Sequence, residues 1–174
     1  MMYSIRQAVI ADAPALSLVG GATFLETYTT ILPGHDMLAH CAVNHSAEKY
    51  RTFLSDPSFV VWIAEAPLGA PVGYLLLGPA SLPVEGPVPG DLEVFRIYVL
   101  APYHKAGVGH RLMGLAIDAA RAQGAGRLVL GMHNENARAL AFYRRQGFEV
   151  IAARSFVVGG TVCCDSVLAL GLAR

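Results

Sequence analysis

Two spacings of apolar residues alternate along this chain, period two in short runs and period near 3.6 in longer ones. Tyr3 to Val9 reads as a first strand. Asp12 stands as the N-cap of a helix over Ala13 to Thr29, and Gly20-Gly21 predicts a kink or break in its middle. Ser46 caps a second helical stretch, Ala47 to Leu54. Phe59 to Glu65 and Val72 to Leu77 form a strand pair around a turn containing Pro67, Gly69 and Pro71. Pro79 to Gly90, rich in proline and glycine, reads as a surface loop and not a domain linker, because the strands on either side belong together. Asp91 to Leu100 is a strand and Gly107 to Gln123 a helix, with Val108, Leu112, Leu115, Ala116 and Ala119 on one face. Arg127 to Met132 is a buried-type strand, and Ala137 to Arg145 a helix ended by Gly147. Phe148 to Val157 and Thr161 to Leu170 form a hairpin through Gly159-Gly160.

This order implies a mixed sheet with helices packed on it, an α/β (α+β) class, as one domain over residues 1–174. At 54% hydrophobic and 15% charged residues, the chain has enough apolar surface for a folded core. Thirteen basic residues balance thirteen acidic ones, which argues against a nucleic-acid partner. No segment is apolar over a bilayer's width, and the N-terminus lacks a signal-peptide pattern. Cys41, Cys163 and Cys164 are an odd set without metal-ligand spacing, so they read as thiols in a reducing cytoplasm. His35, His40 and His45 are spaced by five, which does not bring them to one helix face, so no metal site is expected.

The chemistry concentrates at a strand-to-helix junction, His104-Lys105-Ala106-Gly107-Val108-Gly109. Glycines there let backbone amides approach an anion, and the helix N-terminus adds partial positive charge. A dinucleotide fingerprint would need glycine at position 112, which is Leu112. A nucleotide P-loop would need Lys then Ser or Thr after the last glycine, and His110-Arg111 follow instead. By itself the loop fits a phosphate cradle or a plain connecting turn equally well.

A second block changes the balance. His104-x-x-Gly107-x-Gly109, followed by Asn136, Ala139, Phe142, Tyr143, Gly147 and Phe148, resembles the two motifs of the GNAT N-acetyltransferase superfamily. Four further pieces are similar to PaiA-type polyamine acetyltransferases: Phe24 to Thr30, Phe95 to Leu100, Tyr103 to Gly109 and Arg154 to Gly160. The resemblance implies a GNAT fold, a central mixed twisted sheet of about seven strands flanked by helices. That sheet would splay between the strands at 91–100 and 127–132. It also implies acetyl-CoA as co-substrate and no metal.

Under this resemblance the amides of Lys105, Ala106, Gly107, Val108 and Gly109 hold the pyrophosphate. His104 stands where the family usually has Gln or Arg, and it can donate to a phosphate oxygen. The pantetheine arm pairs with the backbone of Ile97, Tyr98 and Val99. Asn136 contacts the arm or, equally, caps a helix. Tyr143 is the general acid for the leaving thiolate. An alkyl ammonium costs roughly 4.6 kcal/mol to deprotonate at pH 7, so a base is needed. Glu93 is the candidate, placed by strand alternation on one face with Phe95, Ile97 and Val99; an ion pair with Arg96 or Arg127 is its other reading. Glu26 and Tyr28 fall at acceptor-binding positions, with Glu26 attracting a cationic acceptor. The expected activity is acetyl transfer to a small primary amine such as a polyamine, by direct attack in a ternary complex, without Cys163 or Cys164 as nucleophile. A protein or amino-acid amine as acceptor, or a non-catalytic acyl-CoA-binding module, are the alternatives. Exposed strand edges near the C-terminus could pair two copies into a homodimer.

Overall fold

A computed structural model describes residues 2–82, 90–158 and 160–172. Its strands are β1 (Ser4–Gln7), β2 (Val60–Glu65), β3 (Pro71–Pro79), β4 (Leu92–Val99), β5 (Arg127–His133), β6 (Glu149–Val158) and β7 (Thr161–Gly171). They form one seven-stranded sheet in the order β1-β2-β3-β4-β5-β7-β6. Five helices flank it: α1 (Ala13–Tyr28), α2 (Gly34–Asn44), α3 (Ala47–Ser55), α4 (Val108–Ala122) and α5 (Ala137–Arg145). Most of the expected loop over 79–90 lies outside the described residues, as does Gly159 of the expected hairpin turn.

All neighbouring strands run antiparallel except β4 and β5. That parallel contact is short: Leu92 pairs with Leu128 and Glu93 with Val129. Beyond it β4 stays with β3 and β5 with β7, so the sheet opens into a wedge. α4 and α5 cover one face, where Leu112, Met113 and Ala116 meet Leu75, Leu128 and Leu130. α1 and α3 cover the other, with Leu16 and Tyr50 against Ile63 and Leu76. The buried stripe of α4 is rotated from the expected one: Met113 and Ala120 are fully enclosed, whereas Leu115 is exposed.

Four local expectations are corrected. α1 runs unbroken through Gly20-Gly21. Gly20 serves close packing instead, since a Cβ there would lie 2.3 Å from the Tyr50 hydroxyl. Asp12 does not cap α1 with its side chain; its carboxylate takes the Val9 N–H at 2.8 Å and both Arg6 Nη atoms at 2.7 Å. α2 had no counterpart in the sequence pattern. Only Asp36 and Met37 of its eleven residues are buried, while Leu38 and Val43 face outward, so its period is blurred.

The fourth correction bears on the chemistry. A β-bulge sets Leu77 opposite Val94 and Leu76 opposite Arg96, leaving Phe95 as the extra residue. The bulge reverses the alternation. Ile97 and Val99 share the α4 face with Leu92 and Val94, whereas Glu93 shares the opposite face with Arg96 and Tyr98.

Candidate active site

The wedge between β4 and β5 is the floor of a cleft of about 940 Å³. The last turn of α1, the β4–α4 junction and α5 form its walls. Ile97, Tyr98 and Val99 line it from the strand side. Past Glu93, the β5-facing edge of β4 has no strand partner among the described residues, so its backbone can pair with an extended ligand.

His104, Lys105, Gly107 and Gly109 line the cleft at the α4 end, whereas Ala106 and Val108 turn into the core around α4. Gly107 sits at φ +82°, the left-handed region that favours glycine. Its carbonyl starts the helix by accepting from the Arg111 N–H at 3.1 Å. The amides of the first turn have no intrahelical partner and point out of the N-terminus. At Gly109, φ does not require glycine and a Cβ would meet the Phe142 ring at an ordinary 3.6 Å. Neither backbone angle nor packing demands the missing side chain, which leaves the surface open to a ligand. Lys105, Arg138 and Arg145 add positive charge to this end.

His104 has a different task from the expected phosphate donor. Its Nε2–H donates to the Val99 carbonyl at 2.6 Å, and its Nδ1 accepts from Arg138 Nη1 at 2.9 Å. The ring thus closes the end of β4 and positions Arg138. Asn136 is the N-cap of α5, accepting from the Ala139 N–H at 3.0 Å, and it also borders the cleft.

Tyr143 projects from α5 to the cleft and is 8% exposed, its ring packed edge-on against Phe142 and Phe148. Burial holds its hydroxyl pKa well above the ordinary phenol value, and nearby Tyr98 adds to the rise. No protein group among the described residues hydrogen-bonds this hydroxyl.

Glu93 is not brought into the cleft. Its Oε2 accepts from the Ser81 N–H at 2.8 Å, the Ser81 hydroxyl at 3.1 Å and the Leu82 N–H at 3.2 Å. Among the described residues Glu93 forms neither expected ion pair; Arg127 pairs with Asp91 at 2.6 Å. Glu26 is exposed, and its Oε2 accepts from the Ala101 N–H at 3.0 Å, tying α1 to the β4–α4 junction. Tyr28 does line the cleft, stacked on His133 at 6.2 Å. Burial raises its hydroxyl pKa, with Tyr98 contributing.

Sequence reasoning passed over the polar groups on the α1 side of the wedge. His133, Asp165 and Arg154 lie in register across β5, β7 and β6. Arg154 Nη2 donates to Asp165 Oδ2 at 3.3 Å, and burial raises the Asp165 pKa against the pull of Arg154. Arg96 lines the cleft from β4, over the rings of Tyr50 and Phe53. The signal available for Asp165 was a lone carboxylate inside an apolar strand run. α2 and the β6–β7 hairpin roof this side, joined where Asp36 accepts from the Gly160 N–H at 2.9 Å and the Thr161 hydroxyl at 2.7 Å. Of the three spaced histidines, His35 is exposed, His40 stacks on Phe24 and His45 bonds the Tyr50 hydroxyl at 2.9 Å. Burial, then Arg96, pushes the His45 pKa down to about 3.

The model of the acetyltransferase (GNAT) family matches residues 23–148. The chain belongs to the GNAT family. Its members are N-acetyltransferases that use acetyl-CoA, and this chain is an N-acetyltransferase of that kind. An N-acetyltransferase of Mycobacterium tuberculosis is 30% identical over 151 residues, 86% of this chain and 91% of that protein. Streptothricin acetyltransferase of Streptomyces lavendulae is 44% identical over 72 residues, 41% of this chain and 35% of that one. The GNAT fold is shared with the PaiA N-acetyltransferase of Thermoplasma acidophilum, solved with coenzyme A. There the TM-score is 0.79 at 20% identity, covering 98% of this chain and 99% of that one. An acetyltransferase of Salmonella typhimurium solved with acetyl-CoA gives 0.70 at 23% identity, covering 100% and 96%. Among the described residues no helix is long and apolar enough to cross a membrane.

Proposed function

We propose that residues 1–174 work as one domain that transfers acetyl from acetyl-CoA to a primary amine of a small molecule, by direct attack in a ternary complex. The observation that carries this is the meeting, in one cleft, of the open β4 edge, the bare first turn of α4 and the Tyr143 hydroxyl. In this reading the first-turn amides, with Lys105, Arg138 and Arg145, hold the pyrophosphate. The backbone of Ile97 to Val99 aligns the pantetheine arm, and Asn136 supports it from the start of α5. His104 acts through Arg138 and the end of β4.

The amine nitrogen attacks the thioester carbonyl, the carbon–sulfur bond breaks, and Tyr143 gives its proton to the leaving sulfur. The nitrogen sheds a proton in turn. His133 replaces Glu93 as the group offered for that proton. Its Nδ1 lies 3.3 Å from the Cys164 carbonyl, a contact that places the proton on Nδ1 and leaves Nε2 as acceptor. Tyr28 and Tyr98 frame the acceptor, while Glu26 acts through the Ala101 amide. Polyamines are one acceptor class, supported by the PaiA-like sequence pieces. Amino acids are a second, favoured by the arginines of the α1 side. Three free cysteines fit a reducing cytoplasm. Among the described residues β6 is an edge of the sheet, with Val150 and Ile151 exposed, which supports pairing with a second copy.

The test is thiol release from acetyl-CoA with a panel of polyamines, amino acids and peptides. Turnover that needs both substrates supports the reading. Acetyl-CoA binding without release by any amine favours the non-catalytic module, and turnover with peptides alone moves the acceptor to proteins.

A further inference from the structure

Four buried side-chain atoms on the α1 side of the cleft have no hydrogen-bond partner among the described residues: Arg96 Nη1, His133 Nε2, Arg154 Nε and Asp165 Oδ1. Arg96 and His133 line the cleft, and Arg154 lies over Gly131, which lines it too. Buried polar groups are ordinarily satisfied, so two unsatisfied ones in the cleft wall, with Asp165 and Arg154 in register beside His133, make that wall a surface prepared for a polar ligand.

Arg96 specifies the ligand's charge. No carboxylate of the described residues lies within ion-pair distance of it. Its guanidinium is held at 5.4 Å from the Tyr50 ring and 5.6 Å from the Phe53 ring. The groups that surround it are tyrosines (Tyr50, Tyr74, Tyr98), histidines (His40, His45) and Cys41. None supplies a negative charge at neutral pH. Ring faces offset part of the cost of burying a cation, but an anion offsets far more. Asp165 differs, because its one charge is already shared with Arg154 at 3.3 Å. Within the unsatisfied cluster itself, two arginines stand against one aspartate, so its balance is positive. A polyamine with several ammonium groups would meet like charge at Arg96.

We propose that the acceptor is a primary amine that also carries a carboxylate, of which an α-amino acid is the simplest form. The carboxylate sits on Arg96, and the amine faces His133 and Asp165. This rests on the acetyltransferase reading above and names the substrate class for the same cleft.

The experiment uses matched pairs that differ only by the carboxylate: lysine and cadaverine, ornithine and putrescine, phenylalanine and phenethylamine. Each is titrated calorimetrically into the protein saturated with coenzyme A, so binding is read without turnover. At least one amino acid binds about tenfold or more tighter than its decarboxylated partner. Arg96→Gln reduces that ratio to about threefold or less, and Arg96→Lys, which keeps the charge, retains part of it. Thermal melts with coenzyme A verify that both variants fold; if Arg96→Gln does not, the ratio in wild type and Arg96→Lys still decides. No discrimination within any pair, or tighter binding of the decarboxylated amines, overturns the proposal while leaving the acetyltransferase reading intact. Failure of coenzyme A itself to bind overturns both.

Discussion

The Arg154 guanidinium occupies the space a side chain at Gly131 would need: a Cβ there would lie 2.9 Å from Nη2. The obstacle is the end of a flexible side chain, so the fold can yield at little cost. The position of Arg154 over Gly131, which lines the cleft, cannot be kept. Gly131→Ala is therefore expected to move the melting temperature by no more than a few degrees. It should raise KM for the amine about tenfold, with KM for acetyl-CoA within about twofold of wild type. An acetyl-CoA KM that rises in step with the amine KM would remove Arg154 from the acceptor side.

Tyr143→Phe deletes one hydroxyl from a ring fixed by Phe142 and Phe148, so packing survives. Loss of a general acid lowers kcat by about 10²-fold or more, with acetyl-CoA affinity held within about threefold. Since burial keeps this phenol protonated beyond its ordinary range, its titration adds no alkaline fall in rate below about pH 10. An unchanged kcat in the variant would exclude Tyr143 as proton donor.

Gly107 combines a left-handed backbone with the start of α4. Among the described residues a Cβ there meets only the Tyr3 hydroxyl at 3.6 Å, so the cost of Gly107→Ala comes from conformation, about 1–2 kcal/mol. If the backbone relaxes, the first-turn amides move with it. The expectation is a folded protein with acetyl-CoA binding weakened about tenfold, measured by titration; unaltered binding would separate the loop from the pyrophosphate.

Gly20 and Gly21 give a matched pair. A Cβ at Gly20 collides with the Tyr50 hydroxyl and with His45 Nδ1 at 2.6 Å, whereas Gly21 faces open space. Gly20→Ala should destabilise by about 1–3 kcal/mol, and Gly21→Ala should stabilise by about 0.5–1 kcal/mol. Equal effects in urea unfolding would show that helix propensity alone governs both sites.

These two glycines also mark how far the chain could be read before its structure. Period-two and period-3.6 runs, with turn and cap residues between them, located every strand and four of the five helices, because most of these elements bury an apolar face. The Gly-rich loop and the Asn136 to Phe148 block marked two of the three walls of the cleft, since their spacing is local. What escaped was non-local. Whether Gly20 breaks a helix or admits Tyr50 depends on α3, about thirty residues away. Glu93 was assigned to the wrong face because the bulge at Phe95 arises from pairing with β3. The row His133, Asp165 and Arg154 exists only once β5, β7 and β6 are in register.

The Arg6–Asp12 pair tests the fold independently of the cleft. Arg6 hydrogen bonds hold the Asp12 carboxyl below its ordinary 3.8, with the Val9 N–H helping against burial. A folded-state pKa below the unfolded one means that the unfolded chain binds the proton more readily, so protonation favours unfolding. The contribution is complete above about pH 4 and disappears as pH falls through the lowered folded value. Arg6 is 44% exposed and also bound to Glu65 at 2.8 Å, so solvent limits the pair to about 0.5–1 kcal/mol. Asp12→Asn should unfold at lower urea than wild type at pH 7, and the gap should close progressively below pH 4. A gap that is constant from pH 7 to pH 2 would assign the loss to the Val9 turn and not to the charge.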